Sequence, residues 1–230
     1  MKITFLGHAG FLLEHQEVKV AIDPFITGNP AAKAKVEDIQ AHYILVTHGH
    51  SDHLGDAVQI ARQSNGTVVG VFEVANYCTR HGAQAHPMHI GGSYDFGKLK
   101  VKLTQALHGS SAGGEEGPAE YLGNPCGFII ELGGIKVYHA GDTGLFGDME
   151  LIGRRTSVDV AMLPIGDNFT MGVDDAVEAV NMIKPKTVIP MHYNTWPLIK
   201  QDPQLFKKKV EDISPARVVI LNPGDSYNAV

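Results

Sequence analysis

His48, His50, Asp52 and His53 stand within six residues of one another, directly behind the uncharged run Tyr43-Ile44-Leu45-Val46-Thr47. Neutral imidazole and carboxylate are borderline to hard ligands, so the set suits Zn²⁺, Mn²⁺ or Fe, whereas a soft-metal or iron–sulfur site would want thiolates. The run reads as a buried strand, and Gly49 and Ser51 then let the backbone turn sharply. Alternation sends His48 and His50 to one side of the turn. Asp52 and His53, adjacent in sequence, reach a second point nearby. That arrangement suits two ions rather than one. A histidine-rich turn without chemistry is the bland alternative, and four ligand-type side chains at one strand end weigh against it.

The elements that must hold this stretch follow from the flanking pattern. Residues 3–6, 11–14 and 18–22 read as strands joined by tight turns, with His8 in the first turn between two glycines and Asp23 where the third strand ends before Pro24. His8 is a rim or turn histidine; Asp23 is a candidate to orient a ligand imidazole through the N–H that does not face the metal. After the motif, residues 54–64 have helical apolar spacing, 67–71 form a strand and 73–80 a helix. His81, His86 and His89 lack a carboxylate partner and are read as surface or structural. Residues 99–107 alternate as a strand that delivers His108 to the mouth of a Gly-, Glu- and Pro-rich loop, 109–125. A long structureless loop beside a ligand is a lid candidate, with Glu115, Glu116, Glu120, Tyr121 and Asn124 as possible substrate contacts. The strand-and-loop grammar then repeats: 126–132 and 135–140 make a hairpin ending at Asp142, 158–163 and 187–191 are strands, and 217–221 is read as the last. Helices are expected at 149–155, 174–184 and 203–213. His139 is assigned to its strand, and His192 again follows an apolar strand end.

His48-x-His50-x-Asp52-His53, with Gly141-Asp142-Thr143-Gly144, Leu163-Pro164-Ile165-Gly166-Asp167 and Pro190-Met191-His192-Tyr193-Asn194, resembles the metallo-β-lactamase-fold hydrolases, whose signature is His-x-His-x-Asp-His. Within that superfamily the chain looks most like small prokaryotic metal-dependent hydrolases and, more distantly, ascorbate-6-phosphate lactonase. The resemblance covers nearly the whole chain and implies an α/β protein, a four-layer αβ/βα sandwich of two mixed β-sheets flanked by helices, formed as one domain over residues 1–230. It also implies His108 as the third ligand of the first ion. The ligand set is then His48, His50 and His108 for one ion, Asp52, His53 and His192 for the second, and Asp142 between them. Each ion keeps an open position, the mark of a catalytic rather than a structural site. Two divalent ions are expected, Zn²⁺ foremost, with Mn²⁺ or Fe²⁺ also accepted. Water held by Zn²⁺ falls from a pKa near 16 to about 7, which supplies hydroxide for hydrolysis. Asp52 and Asp142 would orient it, and Tyr193 or Asn194 would donate to the developing oxyanion. Di-iron oxidoreductases of the same fold carry a glutamate where His50 stands and need a flavin partner, and this chain has neither. A non-catalytic metal scaffold would not keep open positions.

Composition narrows the partners. At 230 residues, 43% hydrophobic and a net charge of −6, the chain can bury a large core but lacks the basic footprint of a nucleic-acid binder. Lys207, Lys208 and Lys209 form its only basic run, read as a solvated helix face. No apolar stretch reaches the ~20 residues of a membrane span, and Met1 to Phe5 lead straight into a strand without a signal-peptide core, so a cytoplasmic protein is expected. Cys78 and Cys126 read as two reduced, buried thiols. The pocket segments 109–125, 165–172 and 193–196 offer Glu115, Glu116, Glu120 and Asp167 but no lysine or arginine. A polyphosphate would want a cationic clamp. The expected substrate is therefore a small, weakly charged ester or lactone, with a phosphodiester as the alternative. A neighbouring subunit in a homo-oligomer is the other source of such a cation.

Overall fold

Residues 160–164 are buried throughout, and their side chains alternate between two cores: Val160 and Met162 face one, Ala161 and Leu163 the other. A strand covered on both faces must read as an uninterrupted apolar run, as this one does. The computed structural model describes residues 1–113 and 117–230. Among them, β1 (Lys2–Gly7), β2 (Gly10–His15), β3 (Val18–Ile22), β4 (Tyr43–Leu45), β5 (Thr67–Val71) and β6 (Gln84–Met88) form the first sheet, closed at one edge by the C-terminal β16 (Ser226–Asn228). The second sheet holds β7 (Ser93–Asp95), β8 (Leu99–Gln105), β11 (Cys126–Leu132), β12 (Ile135–His139), β13 (Val160–Pro164), β14 (Thr187–Met191) and β15 (Arg217–Val218). A small hairpin of β9 (Ser111–Ala112) and β10 (Glu120–Tyr121) lies apart from both.

Both sheets are mixed. β1, β2 and β3 alternate antiparallel and β3 to β6 run parallel; β8, β11 and β12 alternate antiparallel and β12 to β15 run parallel. One core lies between the sheets, where Phe11, Leu13 and Ile22 meet Leu103, Phe128 and Met162. The helices cover the outside: α2 (Ala57–Ser64) and α3 (Phe72–Arg80) on the first sheet, and α4 (Asp148–Arg155), α5 (Val173–Ile183) and α6 (Pro203–Ile213) beside the second, where Ile152, Val180 and Phe206 form the other core. The result is an αβ/βα sandwich of two mixed sheets flanked by helices. No helix among the described residues is long and apolar enough to cross a membrane.

The strand directions fix where chemistry can occur. β1 runs parallel to β3 and β4, since two antiparallel steps separate β1 from β3, and β8 runs parallel to β12 and β14 by the same count. The segments carrying His8, Asp23, the His48–His53 turn, His108, Asp142 and His192 therefore all leave the same edge of the sandwich. Three departures from the sequence reading matter. The helix expected over 54–64 is split into α1 (Ser51–Leu54) and α2, because Gly55 turns at φ +41° against Pro24, whose carbonyl oxygen would lie 2.6 Å from an added Cβ. The strand expected over 43–47 pairs only to Leu45, and at Thr47 the carbonyl accepts from Cys126 N of the second sheet at 3.0 Å. The last strand is 226–228, paired with β1.

Candidate metal centre

Six of the twelve histidines converge at this edge with Asp52 and Asp142, in groups whose ligand atoms lie within 4.8 Å of one another. The backbone is bent to bring them there. His8, Asp23 and His192 adopt φ of +58°, +42° and +55°, a left-handed conformation that non-glycine residues hold only when the surroundings impose it. The restraint is visible at His8, whose carbonyl accepts from His192 N at 2.7 Å, joining the two sheets behind the site.

A hydrogen-bond chain assigns the imidazole tautomers. Asp23, fully buried, accepts from Thr47 N at 2.8 Å, from Thr47 Oγ1 at 2.6 Å and from His53 Nδ1 at 2.8 Å. Because the Thr47 hydroxyl donates to Asp23, it must accept from His48 Nδ1, 2.9 Å away. Both imidazoles thus carry their proton on Nδ1 and turn an Nε2 lone pair inward. His8 does the same service for Asp52. Its Nε2–H donates to Asp52 Oδ2 at 3.0 Å, and its Nδ1 accepts from Thr195 Oγ1 at 2.8 Å.

The inward atoms have the spacing of a coordination shell. Around a tetrahedral ion with bonds near 2.0–2.1 Å, ligand atoms lie roughly 3.3 Å apart. His48 Nε2 is 3.0 Å from His50 Nδ1, and Asp142 Oδ2 is 2.9, 3.2 and 3.6 Å from Nε2 of His192, His53 and His108. Asp52 Oδ2 lies 3.7 and 3.8 Å from Nε2 of His53 and His192. His53 Nε2 and Asp142 Oδ1 are buried without a hydrogen-bond partner. Electrostatics points the same way. Burial holds His48 well below its ordinary 6.5 and lowers His50 and His108, so these three stay neutral and able to ligate. At His53 burial opposes charge, but Asp142, Asp52 and Asp23 overcome it and raise its pKa well above 6.5. Three carboxylates around one imidazole are a demand for positive charge, which a divalent cation meets. The donor set fits the metal implied by the motif.

The cluster forms the floor of a cavity of about 940 Å³, lined by His50, Asp52, His108, Asp142 and His192 below and by Phe25, Pro118, Phe169, Trp196 and Leu198 around them. Ser51, Ser111, Gly113 and Gly117 complete it. The seven expected ligands are brought together; Tyr193 and Asn194 are not. Tyr193 packs beside the second core, where burial pushes its hydroxyl up to about 12, and Asn194 Oδ1 accepts from Gln201 N at 2.8 Å. Neither lines the cavity. Glu120, Tyr121, Asn124 and Asp167 are also absent from its lining: Glu120 pairs with Arg80 on α3, Tyr121 donates to Asn124 at 3.0 Å, and Asp167 accepts from Asn168 N. Glu115 and Glu116 lie outside the described residues. Sequence reading gave Phe25 no role. Asp56 places it by accepting from the N–H groups of Ile26 and Thr27, a link between residues about thirty apart that no local motif announces.

Comparison with known proteins shows the family. The family model for the beta-lactamase superfamily domain matches residues 2–192. Over 225 residues the chain is 65% identical to a metal-dependent hydrolase of Desulforamulus reducens, covering 98% of each protein. Over 226 residues it is 67% identical to one of Pelotomaculum thermopropionicum, covering 98% of this chain and 99% of that protein. Among solved structures, a metallo-hydrolase of the archaeon Ignicoccus hospitalis superposes with a TM-score of 0.89 at 38% identity, over 98% of this chain and 97% of that one.

Proposed function

The chain belongs to the β-lactamase superfamily and is a metal-dependent hydrolase, and from that premise we propose that it works with two divalent ions, Zn²⁺ foremost, on a small, weakly charged ester or lactone. His48, His50 and His108 would hold one ion, Asp52, His53 and His192 the other, and Asp142 would be shared. The observation that carries this reading is the place of Asp142 Oδ2, within 3.6 Å of an inward nitrogen from each side of the cluster, His108 on one and His53 and His192 on the other.

Bound there, the ions would supply Lewis acidity at the scissile oxygen and bring the pKa of water at the site towards neutrality. The protein's own contribution is orientation. Asp52 lines the cavity with Oδ2 fixed by His8, and its carboxylate accepts from the attacking water. Asp142, which burial opposes but His192 and His53 hold ionised, would share in orienting that water, its Oδ1 being buried without a hydrogen-bond partner of its own. The hydroxyls lining the cavity are Ser51 and Ser111, so the oxyanion role expected of Tyr193 or Asn194 is better sought there. No lysine or arginine lines the cavity among the described residues, which favours ester or lactone over phosphodiester.

Metal analysis of protein purified without chelator, with a screen of lactones, esters, thioesters and phosphodiesters, tests the reading. Two equivalents and turnover of an ester or lactone that disappears in Asp142→Ala are expected. A single equivalent unchanged by His192→Ala would remove the second ion; phosphodiester cleavage far above ester cleavage would replace the bond.

A further inference from the structure

Resting on that hydrolytic reading, we infer that the cavity selects uncharged substrates with an extended apolar group, an aliphatic acyl chain or an aromatic ring, and not the compact polar sugars that a sugar-phosphate lactonase takes. Three observations lead there. Above the metal-binding floor five large apolar side chains, Phe25, Pro118, Phe169, Trp196 and Leu198, line the cavity, against two small hydroxyls, Ser51 and Ser111, so most of the side-chain surface a substrate meets is hydrocarbon. Phe169 and Leu198 are 50% and 62% exposed and line the same cavity, and apolar side chains exposed together mark a binding groove where isolated ones need no explanation. The volume of about 940 Å³ lies at the upper end of the roughly 300–1,000 Å³ of drug-sized sites, far more than a six-carbon lactone fills.

The wall is also built to be rigid. Trp196 packs edge-on to His8 at 4.9 Å between ring centroids and lies 6.3 Å from Phe25. The loop that presents Trp196 and Leu198 is closed by Asn194, whose N–H donates to Ile199 O at 2.9 Å and whose side chain accepts from Gln201 N, and it is anchored by the fully buried Ile199. Asn194 thus serves binding by holding this loop. An apolar surface fixed in place loses little entropy when a ligand covers it. Beyond the ions the floor would hold, the wall offers no lysine or arginine among the described residues to a charged group further out.

The test uses the metal-loaded protein with p-nitrophenyl esters from acetyl to octanoyl, which share one leaving group, and 2-decanone as an uncleavable apolar probe. Burial of each methylene predicts a rise of roughly two- to fourfold in kcat/KM. Trp196 is the chain's single tryptophan, so its fluorescence reports occupancy directly. Saturable quenching by 2-decanone and none by glucose 6-phosphate are expected, with Leu198→Ser and Phe169→Ser flattening the chain-length dependence. Turnover of short esters without any gain from chain length, and no response to 2-decanone, would overturn the apolar selection and leave the hydrolytic reading standing. Saturable 2-decanone binding without ester turnover would support the apolar site and refute the bond assignment.

Discussion

Asp23→Asn replaces one buried oxygen with nitrogen and should disable the centre without replacing a proposed ligand. Thr47 N, 2.8 Å from Oδ1, fixes the amide oxygen at that position, so the new NH₂ falls where Oδ2 accepted from Thr47 Oγ1 and His53 Nδ1. Two hydrogen bonds to a charged acceptor become donor facing donor. At about 1.5–3 kcal/mol each, their loss costs about 3–6 kcal/mol before any relaxation. The relief open to His53 is to move its proton from Nδ1 to Nε2, which removes the inward lone pair. Loss of such an orienting partner typically weakens metal binding by about 10–100-fold. Denaturant unfolding in chelator measures the first effect, competition with a chromophoric chelator the second, and nitrogen NMR of His53 the tautomer. An Asp23→Asn protein that unfolds at the wild-type midpoint and binds divalent metal with unchanged affinity would refute the hydrogen-bond chain.

Gly141→Ala should destabilise by about 2–4 kcal/mol, since the residue sits at φ +64° with Cys126 O 2.6 Å from an added Cβ; Gly144→Ala, with open space around it, should stay within about 0.5 kcal/mol, and thermal melts of the pair decide. Burial lowers His48, His50, His108 and His139 and pushes His8 down to about 4, so between pH 6.5 and about 4 the metal-free folded chain binds fewer protons than the unfolded one, and its stability falls as pH drops through that window. His53, raised by its carboxylates against the effect of burial, acts oppositely, adding stability that is lost as pH rises above 6.5, one histidine against five. Equal denaturant midpoints in chelator at about pH 7 and pH 5 would contradict this. Burial pushes the Cys78 thiol up to about 12 and raises Cys126 well above 9.0, leaving Cys78 with a thiolate fraction on the order of one part in ten thousand at pH 8. Neither should be alkylated in the native protein, and both should react on unfolding, as mass spectrometry would show.

Which parts of the centre were legible depended on the range of the forces that set them. Strands 160–164 and 187–191 are unmistakable because burial on both faces leaves an uninterrupted apolar run, and a ligand at the end of such a run is displayed by the chain itself. His8 is different: its partners Asp52 and Thr195 are 44 and 187 residues away, and nothing local separates it from a turn histidine. Tyr193 and Asn194 misled for a backbone reason. Following His192 in a polar segment, they read as site residues, but φ of +55° at His192 and +59° at Asn194 reverse the chain twice and send the tyrosine beside the second core. The short strand 226–228 lies outside any strong periodicity and is specified by its partner β1 at the other end of the chain.

The same geometry makes metal affinity and the docking of the two sheets one equilibrium. Immediately behind the cluster, Cys126 N donates to Thr47 O, His192 N to His8 O and His139 Nε2 to Ala9 O, each joining the first sheet's strand ends to the second's. The residues so tied are the proposed ligands themselves or their neighbours: His48 follows Thr47, and His192 is held directly. The first sheet alone contributes His48, His50, Asp52 and His53, and the second alone His108, Asp142 and His192, so neither can present a full shell unless those three bonds are made. Any cation that binds the assembled cluster and not the separated halves stabilises the sandwich by RT ln(1 + [M]/Kd), and by the same linkage any change that loosens the sheet contacts weakens the site. Phe11 in the shared core, which lies against His139 at 5.8 Å between ring centroids, therefore reaches the metal without touching it. Phe11→Ala, costing about 3–5 kcal/mol as a buried aromatic truncation, should lower cation affinity by an amount that shrinks as the protein is stabilised with osmolyte. A loss of affinity independent of osmolyte would mean that the centre is preformed on one sheet, against the division of ligands proposed above.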